Sequence, residues 1–272
     1  ASVGKNPASV LPDPVGATSN ACSPAAAAAS IARCAPRTAQ PRDVWTLTIG
    51  GTAFAFDGAD GKLLWRRTVG FDSILPPQRI GAAATADTVL HDSVRREFLV
   101  VDTATGALRR RFAVPQNGSE ENPRSWAAVY DQRLYLTLAS GRLHVFDLAG
   151  GTSTGYVEFP QPLQQAVALD PRGRVLYQVA DDGVVYTLAT ADLRVLESGV
   201  LGESGDATTP PFCVGSYLLL FERRGDVGRM LVYEVDREGL KPKPVGRHDF
   251  ATYVPLSPVT SQRYVAVVDL AG

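Results

Sequence analysis

Cysteine is scarce in this 272-residue chain, with three, and histidine is equally so. Cys22, Cys34 and Cys213 form no Cys-x-x-Cys element, and His91, His144 and His248 stand far apart without a second ligand at metal-site spacing. Structural zinc chemistry is therefore excluded. Cys22 and Cys34 suit either a disulfide in an oxidising compartment or two unpaired thiols, while Cys213, within Pro211-Phe212-Cys213-Val214, reads as a small buried hydrophobe. No run of apolar residues approaches the roughly 18 needed to cross a bilayer as a helix, and Ala1 opens no positively charged, apolar leader. Charge of one sign is also missing: Lys and Arg number 27 against 28 Asp and Glu, a net of −1, which argues against a nucleic-acid partner. Only four of the 27 are lysines (Lys5, Lys62, Lys241 and Lys243), a bias towards Arg that suits a GC-rich, bacterial coding sequence. Neither a Gly-x-Ser-x-Gly elbow nor a Gly-x-x-x-x-Gly-Lys phosphate loop occurs, so the sequence holds no complete catalytic signature.

Residues 1–42 are rich in Ala, Pro, Ser, Gly and Asn, with Asp13 as the sole acid, and have no apolar period. They read as a largely disordered tract, with a short helix over Ser23 to Arg33 capped by Ser23 and Pro24. From residue 43 to 272 the texture becomes short alternating runs of Val, Leu, Phe, Tyr and Thr broken by Gly, Asp and Pro, the pattern of consecutive antiparallel strands. Within it Phe54-Ala55-Phe56-Asp57-Gly58-Ala59-Asp60-Gly61-Lys62-Leu63-Leu64-Trp65 recurs as Leu99-Val100-Val101-Asp102-Thr103-Ala104-Thr105-Gly106-Ala107-Leu108. Further copies begin at Leu143, Val185 and Val232, so the anchor positions are 57, 102, 147, 189 and 236, at intervals of 45, 45, 42 and 47 residues. In the fourth copy Ala189 and Leu193 replace Asp and Gly. The Asp-x-x-x-Gly element is a tight hairpin turn, in which Asp bonds turn amides and Gly takes a positive φ. Upstream segments such as Arg133 to Leu138 and Arg174 to Val179 supply a second strand each.

A period near 45 with several strands per unit predicts an all-β fold, a β-propeller of four-stranded antiparallel blades with five recognisable repeats and a partial sixth. The pattern Val/Phe-x-h-Asp-x-x-x-Gly-x-h-h-Trp, best seen at residues 54–65, resembles the PQQ-like (quinoprotein-type) β-propeller repeat over about Val44 to Asp269. The first unit starts with a second-strand-like segment and the chain ends on another, Tyr264 to Leu270. Either these segments complete one another in a closed ring or the propeller belongs to a longer parent chain, and the expectation leans to truncation. The resemblance implies a non-enzymatic module for protein–protein interaction, of the kind that serves outer-membrane assembly, in the periplasm, cell envelope or another extracytoplasmic setting. It offers one enzymatic alternative, a partial or degenerate PQQ-dependent dehydrogenase using PQQ with Ca²⁺. Such enzymes are expected to carry Ca²⁺ ligands, a catalytic Asp and often adjacent cysteines, and no adjacent cysteines occur here. A carbohydrate- or polymer-binding propeller is a further alternative.

In a four-stranded blade the connections from each outer strand to the next inner strand gather at one end, where ligands usually bind. Here they are long, and their polar residues make a candidate partner or ligand face: Asp72, Asn117, Glu120, Glu121, Asn122, Arg124, Gln164, Gln165, Glu203, Asp206, His248, Asp249 and Tyr253. No catalytic, cofactor or metal residue is assigned and no cofactor is expected. His91-Asp92 and His248-Asp249 are dyads on paper only, since sequence neighbours point to opposite faces of a strand. Arg109-Arg110-Arg111 reads as protection of an outer edge strand, and Trp126, Tyr135, Tyr177, Tyr217 and Tyr233 as packing between blades.

Overall fold

The computed structural model describes residues 43–80, 86–115, 125–202, 206–260 and 264–271. Residues 1–42, with Cys22, Cys34 and the short helix expected there, lie outside the described residues. The rest forms six antiparallel sheets in chain order, each a blade. Blade one holds β1 (Val44–Ile49), β2 (Thr52–Asp57) and β3 (Leu63–Thr68). Blade two holds β4 (Gln78–Ile80), β5 (Asp87–Asp92), β6 (Glu97–Asp102) and β7 (Leu108–Ala113). Blade three holds β8 (Ser125–Tyr130), β9 (Arg133–Leu138), β10 (Arg142–Asp147) and β11 (Thr152–Glu158). Blade four holds β12 (Leu163–Leu169), β13 (Val175–Ala180), β14 (Val184–Ala189) and β15 (Val195–Val200). In blade five β16 (Asp206–Ala207) and β17 (Phe212–Val214) share the inner edge of β18 (Tyr217–Arg224), followed by β19 (Val227–Glu234) and β20 (Lys243–Phe250). That inner strand breaks at Pro210-Pro211, which cannot donate to the ladder. Blade six shows β21 (Val259–Thr260) and β22 (Val265–Ala266).

All five repeat anchors sit at the turn between third and fourth strands. The Gly61, Gly106 and Gly151 amides donate back to the carbonyls of Asp57, Asp102 and Asp147 at 2.8–2.9 Å, and each anchor carboxylate accepts the amide two residues on. The residue closing the turn is left-handed in every copy, with φ of 71°, 70° and 77° at these glycines and 81° at Gly239. In the fourth copy Leu193 adopts φ 61° and its amide bonds the Ala189 carbonyl at 2.9 Å. The turn therefore survives the loss of both signature residues, because its backbone ladder and the packing of Leu193 on the adjoining core replace the local preferences.

Each sheet buries both faces, one against the blade before and one against the blade after. Blades one and two share Ala53, Ala55 and Trp65 with Leu90, Leu99 and Val101. Blades two and three share Val89, Phe98 and Val100 with Leu134, Leu136 and Phe146, and the pattern continues through blades three to five. Central strands are accordingly apolar throughout, whereas outer strands such as β7, with Arg109, Arg110 and Arg111 exposed, are polar. Those arginines are spent on the blade stack. Arg109 pairs with Asp87 at 2.7 Å and with Asp102, Arg111 stands 3.8 Å from Glu97, and Arg110 reaches the next blade.

That reach recurs. The carbonyl one residue past each later anchor accepts a hydrogen bond from the blade before. Trp65 Nε1 donates to Thr103 at 2.8 Å, Arg110 to Leu148 at 2.7 Å, Arg133 to Thr190 at 2.6 Å, and Arg172 and Arg174 to Arg237 at 2.6 and 3.0 Å. Arginine thus takes over the linking role of the signature tryptophan. Tyr177 and Tyr233 also join neighbouring blades through their hydroxyls, on the Gly239 and Leu201 carbonyls, and Tyr135 is buried, whereas Tyr217 is 44% exposed.

Gly106 is where turn and linkage meet, since a Cβ there would lie 2.7 Å from Trp65 Cγ at a left-handed φ. Gly106→Ala is expected to destabilise the chain by about 2–4 kcal/mol in urea unfolding, from left-handed strain plus overpacking. Ala189→Asp, which restores the missing turn acceptor, is expected to stabilise it by about 0.5–1.5 kcal/mol.

Candidate functional site

Antiparallel order places the second-to-third strand turns at the same end of the blades as the inter-blade connections. Backbone bonds join the two sets. Val69 and Gly70 donate to the Gly51 carbonyl, Val114 to Arg96, Phe159 to Gly141, and Leu201 and Gly202 to Gly183, at 2.8–3.0 Å. The connections are thereby held at their roots.

The sequence-derived face is only partly assembled here. Asn117, Glu120, Glu121, Asn122, Arg124 and Glu203 lie outside the described residues. Asp72 is an exposed connection residue, as expected. Gln164 and Gln165 belong to the bulged strand β12 and are committed to structure. Gln164 donates to Asp181 at 2.8 Å and accepts the Ala207 amide at 2.7 Å, and Gln165 donates to the Ala207 carbonyl at 2.9 Å. Fully buried Gln178 holds the bulge, its amide facing the Gln164 and Gln165 carbonyls while its oxygen accepts from Thr137 of blade three. This polar network welds three blades where a ligand contact was expected.

His248 and Asp249 were read as connection residues, but the structure places them within β20, an outer strand. Its polar, fully exposed sequence carries no strand alternation, and pairing with the long strand β19 overrides it. The His248 ring packs edge-on against Phe250, and Asp249 is engaged by Arg229 and Arg247, each at 2.8 Å. Bonds from the two guanidinium groups hold the Asp249 carboxyl down to about 2. Tyr253 lies beneath the Arg223 guanidinium, 4.9 Å from its ring centroid, and Asp206 stands opposite Arg223 in the ladder. Asp206, Asp249 and Tyr253 therefore gather around one end of blade five as arginine-paired groups. Neither dyad exists: Asp92 caps its own turn and pairs with Arg95 at 2.9 Å.

His91 has a different task. Its Nδ1 accepts the Ile74 amide at 3.1 Å, and its carbonyl stands 3.4 Å from Ser73 Oγ, which also bonds the Leu75 carbonyl. With Leu75 buried, the connection from blade one to blade two is pinned at its centre. Burial lowers the His91 pKa, partly opposed by Asp92, and burial with Arg142 lowers that of His144, whose ring packs on Tyr156. Cys213 packs on the core between blades four and five, which pushes its thiol up to about 12.

Beside the pinned connection stand Phe71, 85% exposed, and Val94, 71% exposed. They belong to adjoining segments: Ser93 donates to the Val69 carbonyl, and a Cβ on Gly70 would lie 3.0 Å from the Val94 side chain. Selection of polar residues misses this pair, whose only signal is an aromatic inside a Gly/Asp/Pro connection. A cavity of about 490 Å³ opens at the other end of blades three and four, among Tyr130, Asp131, Arg133, Tyr135, Asp147 and Thr190. Burial there pushes the Tyr130 hydroxyl up to about 12. Among the described residues no group of three or more His, Cys, Asp or Glu is placed to hold a metal ion, and no helix is long and apolar enough to cross a membrane.

No family profile and no curated protein matches the chain. Solved structures do. BamB from Moraxella catarrhalis aligns with a TM-score of 0.58 at 17% identity, over 84% of this chain and 67% of that one. Sqt1 of Saccharomyces cerevisiae aligns at 0.59 and 14%, over 82% and 65%, and hydrazine synthase of Kuenenia stuttgartiensis at 0.56 and 13%, over 76% and 64%. The chain spans about two thirds of the length of each. At these identities the similarity defines the fold, and the class is a β-propeller.

Two outcomes follow. Because unfolded chain takes up protons at about pH 6.5, before His91 and His144 do, stability is full above that pH and falls as pH drops towards the lowered folded values. Unfolding midpoints at pH 5 should therefore lie below those at pH 7.5, and NMR should show His91 titrating below 6.5. Gln178→Leu leaves Thr137 and the β12 carbonyls unmatched and is expected to cost about 2–4 kcal/mol in urea unfolding.

Proposed function

We propose that this chain is a non-enzymatic propeller module of the PQQ-like repeat type, holding a protein partner at the end of its blades where the connections lie. The observation that carries the reading is Phe71 with Val94, two apolar side chains displayed nearly bare on segments that backbone bonds and His91 pin in place. Pre-ordered aromatic anchors lose little entropy on binding, and exposed apolar patches on soluble folds commonly mark partner sites. Asp72 and residues of the other connections supply a polar rim. The family resemblance supports an extracytoplasmic setting.

A photo-crosslinking residue at position 71 should capture one discrete protein in the native cell, while the same residue at 152, at the opposite end, should not. Equal capture from both positions, or none, rejects the reading. Titration with PQQ and Ca²⁺ is expected to give no saturable binding, and stoichiometric, calcium-dependent binding would instead support a partial dehydrogenase. The cavity favours one second reading, a carbohydrate ligand, because tyrosine rings beside Asp131 and Asp147 suit a polyhydroxylated surface. Its mark is a raised melting temperature with a particular glycan, abolished by Asp147→Asn.

A further inference from the structure

Blade one is built to lie against another sheet. Trp45, Leu47 and Ile49 of β1 share one face with Phe54 and Phe56 of β2, paired Trp45 with Phe56 and Leu47 with Phe54. The ladder of blade three aligns residue for residue: Leu134 pairs with Phe146 and Leu136 with His144. Its matching residues Leu134, Leu136 and Phe146 are buried against blade two. The corresponding face of blade two, through Leu90, Leu99 and Val101, is likewise buried against blade one. In blade one the same face is open, with Trp45 67% and Ile49 66% exposed. The linking carbonyl agrees. Thr103, Leu148, Thr190 and Arg237 each accept a bond from the blade before, whereas the matching carbonyl, that of Gly58, accepts none among the described residues.

The other end of the stack offers the complement. Val267 packs against Leu219 and Phe221 of blade five, while Tyr264, Val268 and Leu270 stand 74%, 53% and 57% exposed. The two open faces stay apart within one molecule, since blades one and six share no sheet and both faces are bare. We propose that they dock head to tail between two copies of this chain, blade six of one laid on blade one of the next, continuing the blade-on-blade interface already repeated along the molecule. The contact is heterologous, so it leaves one open face at each end of a dimer and permits further addition. It is a separate surface from Phe71 and does not rest on the partner reading.

Sedimentation velocity of the full chain across the micromolar range tests this. The wild type should self-associate with rising concentration, and Ile49→Lys and Val268→Lys should each be monomeric with unchanged far-UV circular dichroism. An equimolar mixture of the two variants should form dimers and nothing larger, because each retains the face the other has lost. Trp45→Lys and Leu270→Lys replace either variant should it misfold. Three results overturn the proposal: a wild type monomeric throughout, association that survives Val268→Lys and so pairs blade one with blade one, and variants whose mixture stays monomeric.

Discussion

Everything in this chain depends on sheets being covered on both faces. A single blade of four short strands carries apolar residues front and back, as in β9, where Leu134, Leu136 and Leu138 face one neighbour and Tyr135 the other. Such a sheet has no solvent side, so it is stable only between two others, and the cores lie between blades rather than within them. The long side chains that cross to the next turn add direction to this packing. A tryptophan or arginine of one blade reaches the carbonyl past the next anchor, which fixes the rotation of each blade on its neighbour as apolar contact alone does not.

The same requirement explains where polar chemistry is found. With faces committed to packing and outer strands to charge pairing, the ends of the blades are what remains for binding. At one end the connections are drawn down onto the second-to-third strand turns by repeated backbone bonds, and His91 and Gln178 use buried hydrogen bonds to hold two of them. Rigid roots under exposed tips are what a recognition surface needs, because partners then meet a shape that is already formed. At the other end the gap between blades three and four leaves a polar cavity bounded by turn residues, including the repeat anchor Asp147.

Much of the architecture was legible in the residues. The anchors at 57, 102, 147, 189 and 236 each close the expected turn, including the degenerate copy at Ala189, where Leu193 stands in for glycine. The short β1–β3 blade and the two strands of blade six match the incomplete first and last units of the repeat. The candidate face was less legible. Gln164 and Gln165 carry the right chemistry for a ligand but meet the strand β16 of the next blade, and residues 243–250 look like a loop yet pair along the whole of β19.

Period, turn chemistry and strand count were determined by the sequence alone, because they rest on interactions within some ten residues: Asx bonding, left-handed turn closure and alternation. Only the tertiary structure decided which polar side chains are spent on neighbouring blades, that Phe71 and Val94 stand together, and that the outer face of blade one is open. Those outcomes depend on contacts between residues about 20 to 60 apart, set by how one twisted sheet lies on the next, and side-chain identity does not carry that relation.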